Sequence, residues 1–263
     1  PLTPPDTGEG DHELGDVGSV SSPPSRGVVV SWAKPATEWG LTSPDEASAK
    51  ALLAAAGLPV PEGLRAASVQ EAVAAAEKLG FPVALKALGI AHKSEAGAVR
   101  LNLRDIAAVR EAAKALVPLG SGLYVERMVA GGVAELIVGV TRDPLFGAVM
   151  TLGSGGVLVE LLKDSATLIL PASRGEVEAS LRGLKLFPLL DGFRGRPRAD
   201  LAAAIDAVTG IGAFALAHAE AIAEMDINPL IVCAEGKGAW IADALIVVSP
   251  SPLVGEGVAK GDG

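Results

Sequence analysis

AEMDINPLIVCAEGKGAWIADALIVV, residues 223–248, reads as two strands joined by a turn around Glu235-Gly236-Lys237-Gly238. A strand sends alternate side chains to opposite faces, so Glu224, Asp226 and Asn228 share one face of a segment whose other face is apolar. With the turn centred on Gly236 and Lys237, Asp243 falls opposite Leu230, on the Asn228 face and diagonal to Asn228 at roughly 7 Å. Asp226, Asn228 and Asp243 would then offer converging oxygen ligands to a hard cation such as Mg²⁺, which takes one or two protein oxygens and completes its octahedron with water and phosphate. Two readings stand at this point: a metal site, or an Asp-x-Asn-Pro turn opener.

The wider composition sets bounds on this hairpin. The chain has 263 residues with 49% hydrophobic content, enough for one large domain or two modest ones. Asp and Glu number 31 against 22 Lys and Arg, a net charge of −9, which argues against non-specific nucleic-acid binding. The single Cys233 excludes an internal disulfide and any multi-cysteine zinc site, and fits a reducing cytoplasm. The apolar run 201–223 is interrupted by Asp206, Gly210, Gly212, His218 and Glu220, so no membrane span is expected.

Upstream of the hairpin, Asp200 is expected to cap a long Ala-rich helix, preceded by the polar loop LLDGFRGRPRAD (189–200) and a helix capped by Ser173 and Glu176. Before these come strands with Gly-rich turns: AELIVGVTRD (134–143), LFGAVMTLG (145–153) and VLVELL (157–162). Ser43-Pro44-Asp45-Glu46 reads as a capping box for a helix ending at Gly57, and Ser68 to Glu71 repeats the signal for a second helix stopping near Gly80. Strands are expected over 82–87, 98–103 and 123–128, with a helix over 106–117. The expectation is an α+β (α/β) chain of two lobes, 41–120 and 121–248, with flexible segments at 1–40 and 249–263.

Three further stretches carry candidate chemistry. In KALGIAHKSEAGAVRLNL (86–103), His92 and Lys93 stand with Lys86 in and beside a polar loop between two buried strands. In YVERMVAGGVAELIVG (124–139), Tyr124, Glu126 and Met128 share a strand face and Glu135 opens the next strand. This is either a hinge over a planar ligand or an edge strand with solvated acids. Gly153-Ser154-Gly155-Gly156 either exposes consecutive backbone N–H groups to an anion or is an ordinary turn. No GxxxxGK[ST] and no strand-GxGxxG-helix unit occurs, which excludes a P-loop and leaves a Rossmann site unsupported.

Laid in order, Lys86, His92-Lys93, the small-residue step at 96–99, VERMVAGGVAELIVGVTRDPLFG, GSGGVLVELLKD, LLDGFRGRPRAD, EMDINPL and Ala242-Asp243 resemble the ATP-grasp module of ADP-forming acyl-CoA (acetyl-CoA) synthetases, over roughly residues 41–248. The resemblance is to their β subunit or the C-terminal part of their fused forms. It implies an ATP-grasp fold with the nucleotide in the cleft between two α+β lobes. It implies ATP/ADP and Mg²⁺ as cofactors, Lys86 on the nucleotide phosphates, the Glu126 to Met128 strand beside adenine, and Glu135 near ribose or metal. Gly155 and Gly156 would serve the nucleotide, and Asn228 and Asp243, with Asp226, the metal. His92 would relay a phosphoryl group, assisted by Lys93 and Arg194. A phosphoryl group in transfer is stabilised by position and by positive charge, and neutral imidazole is a competent nucleophile near pH 7.

The implied enzyme is an ADP-forming acid–CoA ligase active only with a CoA-binding ligase α subunit or N-terminal domain, as a hetero-oligomer or a fragment of a fused chain, in the cytoplasm. The sequence departs from the family pattern at Ala98, where a second Gly is usual, and at Leu168 and Leu245, where arginines are expected. The alternatives are a nucleotide-sensing regulatory module of reduced turnover and another ATP-grasp carboxylate ligase.

Overall fold

The computed structural model describes residues 43–90, 96–155 and 164–249. All belong to a single unit, Trp32–Gly263. The expected tails, the strand over 157–162, and His92, Lys93 and Gly156 lie outside the described residues, Ser249 excepted.

The first sheet has four strands in the order β1 (Gly63–Ala66), β4 (Gly122–Arg127), β2 (Val83–Leu88), β3 (Val99–Leu103), with every pairing antiparallel. Helices α2 (Val69–Leu79) and α3 (Ile106–Leu116) bury Ala72, Ala76, Val109 and Ala113 against Val83, Leu85, Leu123 and Val125. Small alanines on both helices allow close approach to the sheet. All six residues of β2 are buried, because its other face, carrying Ala84, Lys86 and Leu88, is also covered.

The cover on that face includes α1 (Glu46–Ala55), which bridges the two sheets. Its Ala47 packs with Leu88 and Tyr124 of the first, while Ala49 and Leu53 enter the core of the second. Gly63 lies beneath Tyr124, and a Cβ there would collide with the phenol.

The second sheet has six strands: β10 (Ala244–Val248), β8 (Ile222–Cys233), β5 (Gly132–Asp143), β6 (Gly147–Ser154) and β7 (Ser165–Ile169) in that order, with β9 (Ala239–Ile241) extending beside β8. One face carries Val138, Val140, Met150, Leu152, Met225, Ile227 and Ile246 into the larger core, covered by α4 (Arg174–Gly183), the single turn α5 (Phe187–Leu190) and α6 (Leu201–Ala217). Ser173 and Glu176 form the expected capping box, and Asp200 caps α6. Among the described residues no helix is long and apolar enough to cross a membrane.

The register of β8 sets the geometry of the site. Ile227 pairs with Val138 and Leu230 with Leu136, so β8 advances three residues where β5 advances two. The extra residue forms a bulge at Asn228-Pro229. Both Ile227 and Leu230 therefore point into the core although they differ in parity. Ala244 pairs with Ile227 and Ile241 with Leu230, which places Ala242 and Asp243 across from Pro229 and Asn228.

Several expectations need correction. The hairpin register differs by two residues from that expected: Asp243 is opposite Asn228 rather than Leu230, because the turn closes one residue earlier, with Lys237 N–H donating to Ala234 O at 2.8 Å. The cap of α1 is Asp45, accepting from Ser48 N–H, and not Ser43. The division between lobes does not fall near 120. Strand β4 sits between β1 and β2 in the first sheet, and the chain crosses to the second between Arg127 and Gly132. Its partners in the first sheet are distant in sequence, so no local signal marks where the chain leaves that sheet. The short strands β1 and β7 have no counterpart in the sequence reading.

Candidate functional site

The two sheets meet across a cleft of about 390 Å³. Strand β2 contributes Lys86, β4 contributes Glu126, and the crossing segment contributes Met128. Glu135 comes from β5, Asn228 from the β8 bulge, and Asp243 from the step between β9 and β10. Six of the residues singled out in the sequence thus converge from both sheets.

Next to the cleft lies a buried charge cluster. Lys86 Nζ donates to Glu46 Oε1 at 2.6 Å and to the Ala242 carbonyl at 2.6 Å, and lies 3.1 Å from Glu126 Oε2. Lys50 Nζ also donates to the Ala242 carbonyl at 2.6 Å, pairs with Glu126 Oε1, and lies 3.8 Å from Glu46 Oε1. All four side chains are buried, with Lys50 fully so. Removing one member would leave a buried charge uncompensated, which is why such clusters stand or fall together.

Electrostatics distinguish the two lysines. Burial, with the Lys86 charge beside it, pulls the Lys50 ammonium down to about 8 despite Glu126 and Glu46. Burial also disfavours charge on Lys86, but Glu126, Glu46 and Asp243 together outweigh it and hold the ammonium above the ordinary lysine range. The directions differ because the Lys86 charge disfavours a second charge on Lys50, while Asp243 adds to the carboxylates that favour charge on Lys86. Burial, with Glu126 and Glu46 nearby, raises the Tyr124 phenol. The carboxylates around Lys86 thus favour its charged form, and the side chain lines the cleft. Glu126 is buried in β4 and Glu135 is exposed on β5, and both strands lie inside their sheets, so the segment is not an edge strand and only Glu135 is solvated.

Other expected site residues are not brought to the cleft. Asp226 lies outside its lining, pairing in register with Leu245 and Gly139, and burial followed by Glu224 and Asp243 raises its carboxyl. Arg194 occupies a left-handed position (φ 51°) in a 3-10 turn after α5, its guanidinium 5.1 Å from the Phe193 ring centre and outside the cleft lining. Gly155 does not present its amide to an anion. Its N–H donates to Glu135 O at 2.8 Å, and a Cβ would come within 2.8 Å of the Leu136 backbone. The glycine serves close strand approach beside Glu135. Leu168 lies on the core side of β7, packed against the larger core, whereas Leu245 is exposed on β10.

The sequence reading missed Glu46, Lys50 and the Ala242 carbonyl. A signal for the first two was available: Glu46, Lys50 and Leu53 fall at helical spacing on the stripe of α1 that is otherwise apolar.

Residues 36–248, which include both sheets and every residue lining the cleft, match the ATP-grasp domain, and the chain belongs to that family. Within it the chain is 36% identical over 220 residues to the β subunit of an ADP-forming acetate–CoA ligase II of Pyrococcus furiosus, covering 80% of this chain and 93% of that one. It is 38% identical over 223 residues to an ADP-forming acetate–CoA ligase of Methanocaldococcus jannaschii, covering 79% of this chain but only 31% of that longer protein. A similar solved structure is that of acetyl-coenzyme A synthetase 1 of Ca. Korarchaeum cryptofilum in complex with coenzyme A and Mg-AMPPCP, its phosphohistidine segment pointing towards the nucleotide binding site. That match has a TM-score of 0.70 at 36% identity and covers 81% of this chain and 96% of the other.

Proposed function

We propose that this chain is the nucleotide-binding and phosphoryl-transfer module of an ADP-forming acyl-CoA ligase, interconverting ATP, a carboxylic acid and CoA with ADP, phosphate and acyl-CoA. The observation that carries the reading is the convergence of Lys86, Glu126, Glu135, Asn228 and Asp243 on one cleft between two sheets. Lys86 meets the phosphates with fixed positive charge, and the Glu126 to Met128 segment borders the base. Glu135 accepts from ribose or adds an oxygen near the metal.

The donor set suits Mg²⁺. Asn228 and Asp243 offer a hard amide oxygen and a carboxylate across adjacent strands. Among the described residues no group of three or more His, Cys, Asp or Glu forms a cage that would hold a metal alone. A site completed by water and phosphate fits that arrangement. Bound there, the ion would neutralise phosphate charge. Asp226 stands outside this pair.

His92 is the proposed relay. Its imidazole nitrogen attacks the γ-phosphorus, the bond to the β,γ-bridging oxygen breaks, and ADP leaves. The phosphoryl group then passes to the carboxylate of the acid, and CoA displaces phosphate from the acyl phosphate. Lys93 and Arg194 would contribute positive charge to the phosphoryl group in transfer. The acid- and CoA-binding elements belong to a partner subunit or domain, in keeping with the 31% of the M. jannaschii ligase that the chain spans. The setting is the cytoplasm.

The test is single-turnover transfer from γ-labelled ATP, followed by acid-lability analysis of the labelled chain. Wild type should carry an acid-labile phosphoryl group, and His92→Ala should bind nucleotide without acquiring label. Equal labelling of the variant would exclude the relay.

A further inference from the structure

The contacts of Lys86 pose a difficulty for a nucleotide lysine. Its ammonium has three donors, and Glu46, Glu126 and the Ala242 carbonyl are three acceptors already within 3.1 Å. A phosphate can be engaged only if at least one of them is released. Releasing a buried carboxylate with no other cation beside it is costly.

Lys50 addresses each of these contacts. It pairs with the other oxygen of Glu126, shares the Ala242 carbonyl at 2.6 Å, and stands 3.8 Å from the same Glu46 oxygen that Lys86 holds. Every acceptor of Lys86 therefore has Lys50 as a second cation nearby. Access separates the two, since Lys86 lines the cleft whereas Lys50 is fully buried on α1 and outside the lining. A ligand in the cleft reaches only Lys86.

We infer that Lys50 is a positioning residue of the nucleotide site, a buried counter-cation that holds Glu126, Glu46 and the Ala242 carbonyl so that Lys86 is free to turn to an incoming phosphate. This rests on the nucleotide reading of the cleft. It assigns α1, which contributes nothing to the cleft lining, a role in setting affinity. The same contact holds the peptide next to Asp243, tying the metal side of the cleft to the phosphate side.

The experiment is calorimetric titration of the full chain with a non-hydrolysable ATP analogue and Mg²⁺, with thermal unfolding recorded for every variant. Absence of binding by wild type, or unchanged affinity of Lys86→Ala, would overturn the nucleotide reading itself. Given wild-type binding, Lys50→Met should bind about tenfold more weakly, because Lys86 then loses the second cation that shares its acceptors. Adding Glu46→Gln should restore most of that loss, since it removes one competitor for Lys86, whereas a role confined to packing of the lysine stem would not respond to the charge at Glu46. A folded Lys50→Met with wild-type affinity, or a double variant as weak as the single one, would overturn the inference. If Lys50→Met does not fold, Glu46→Gln alone decides: tighter analogue binding supports the inference, and unchanged or weaker binding overturns it.

Discussion

Lys86 and Asp164 show how differently two buried charges are handled. Lys86 is held by Glu46, Glu126 and the Ala242 carbonyl, so its removal should affect folding as well as the proposed nucleotide binding. Lys86→Ala is expected to abolish measurable nucleotide binding and also to lower stability by about 3 kcal/mol, the usual cost of breaking a buried ion cluster. Calorimetry and denaturant unfolding read the two effects separately. Asp164 is satisfied by hydrogen bonds, accepting from Ser154 Oγ at 2.6 Å and from the Lys185 and Leu186 amides at 2.8 and 2.9 Å. Burial alone would raise its carboxyl, but these donors outweigh it and bring it below the ordinary carboxylate value of 3.8. A depressed folded-state value adds stability that is present above the unfolded value and lost as pH falls through the folded one. Asp164→Asn should therefore cost about 2 kcal/mol at neutral pH, with the gap from wild type closing below pH 4 in acid unfolding series.

Helix α1 and strands β5 and β8 place these side chains. The β8 bulge turns Asn228 towards the cleft while Leu230 stays in the core, and the step between β9 and β10 brings Asp243 opposite it. Gly155 maintains the contact of the β6 end with the Glu135 carbonyl, where a side chain would meet backbone atoms at 2.8 to 3.0 Å. Gly155→Ala should cost about 1–3 kcal/mol and weaken nucleotide binding through displacement of Glu135, as overpacking against backbone does. A variant with wild-type melting temperature and affinity would show that β5 and β6 separate without loss. Asp45 caps α1 through Ser48 N–H and is bonded by Arg65 of β1, so Asp45→Ala should lower stability by about 1 kcal/mol in thermal unfolding.

Among the described residues the chain has the cleft proposed for nucleotide, and CoA is assigned to the proposed partner. It spans nearly all of the P. furiosus β subunit but under a third of the M. jannaschii ligase. The 263-residue chain by itself is expected to bind nucleotide and to form no acyl-CoA. Joined to a CoA-binding partner subunit, it should gain acyl-CoA synthesis dependent on ATP and Mg²⁺, measured by product chromatography. Acyl-CoA formation by the isolated chain would contradict the division of labour proposed above.

What local sequence carries, the sequence alone determined. Helices α2, α3, α4 and α6, strands β2 to β6, and the caps at Ser68, Ser173 and Asp200 follow from short-range hydrogen bonds and from periods of 2 and 3.6, and all were legible before any contact was known. Lys86, Glu126, Met128, Glu135, Asn228 and Asp243 could be singled out because polar residues interrupted apolar patterns or matched an ordered set of motifs. Three things were decided only by tertiary structure. Strand β4 joined the first sheet through β1 and β2, since sheet partners are chosen by long-range burial and not by neighbouring residues. The bulge at Asn228-Pro229 and the hairpin register set which oxygens face the cleft, because a single inserted residue reverses every side chain beyond it. The partnership of Lys50 on α1 with Glu126 of β4 and the Ala242 carbonyl spans 76 and 192 positions of sequence, and burial of charge on that scale exists only once both sheets have closed around the helix.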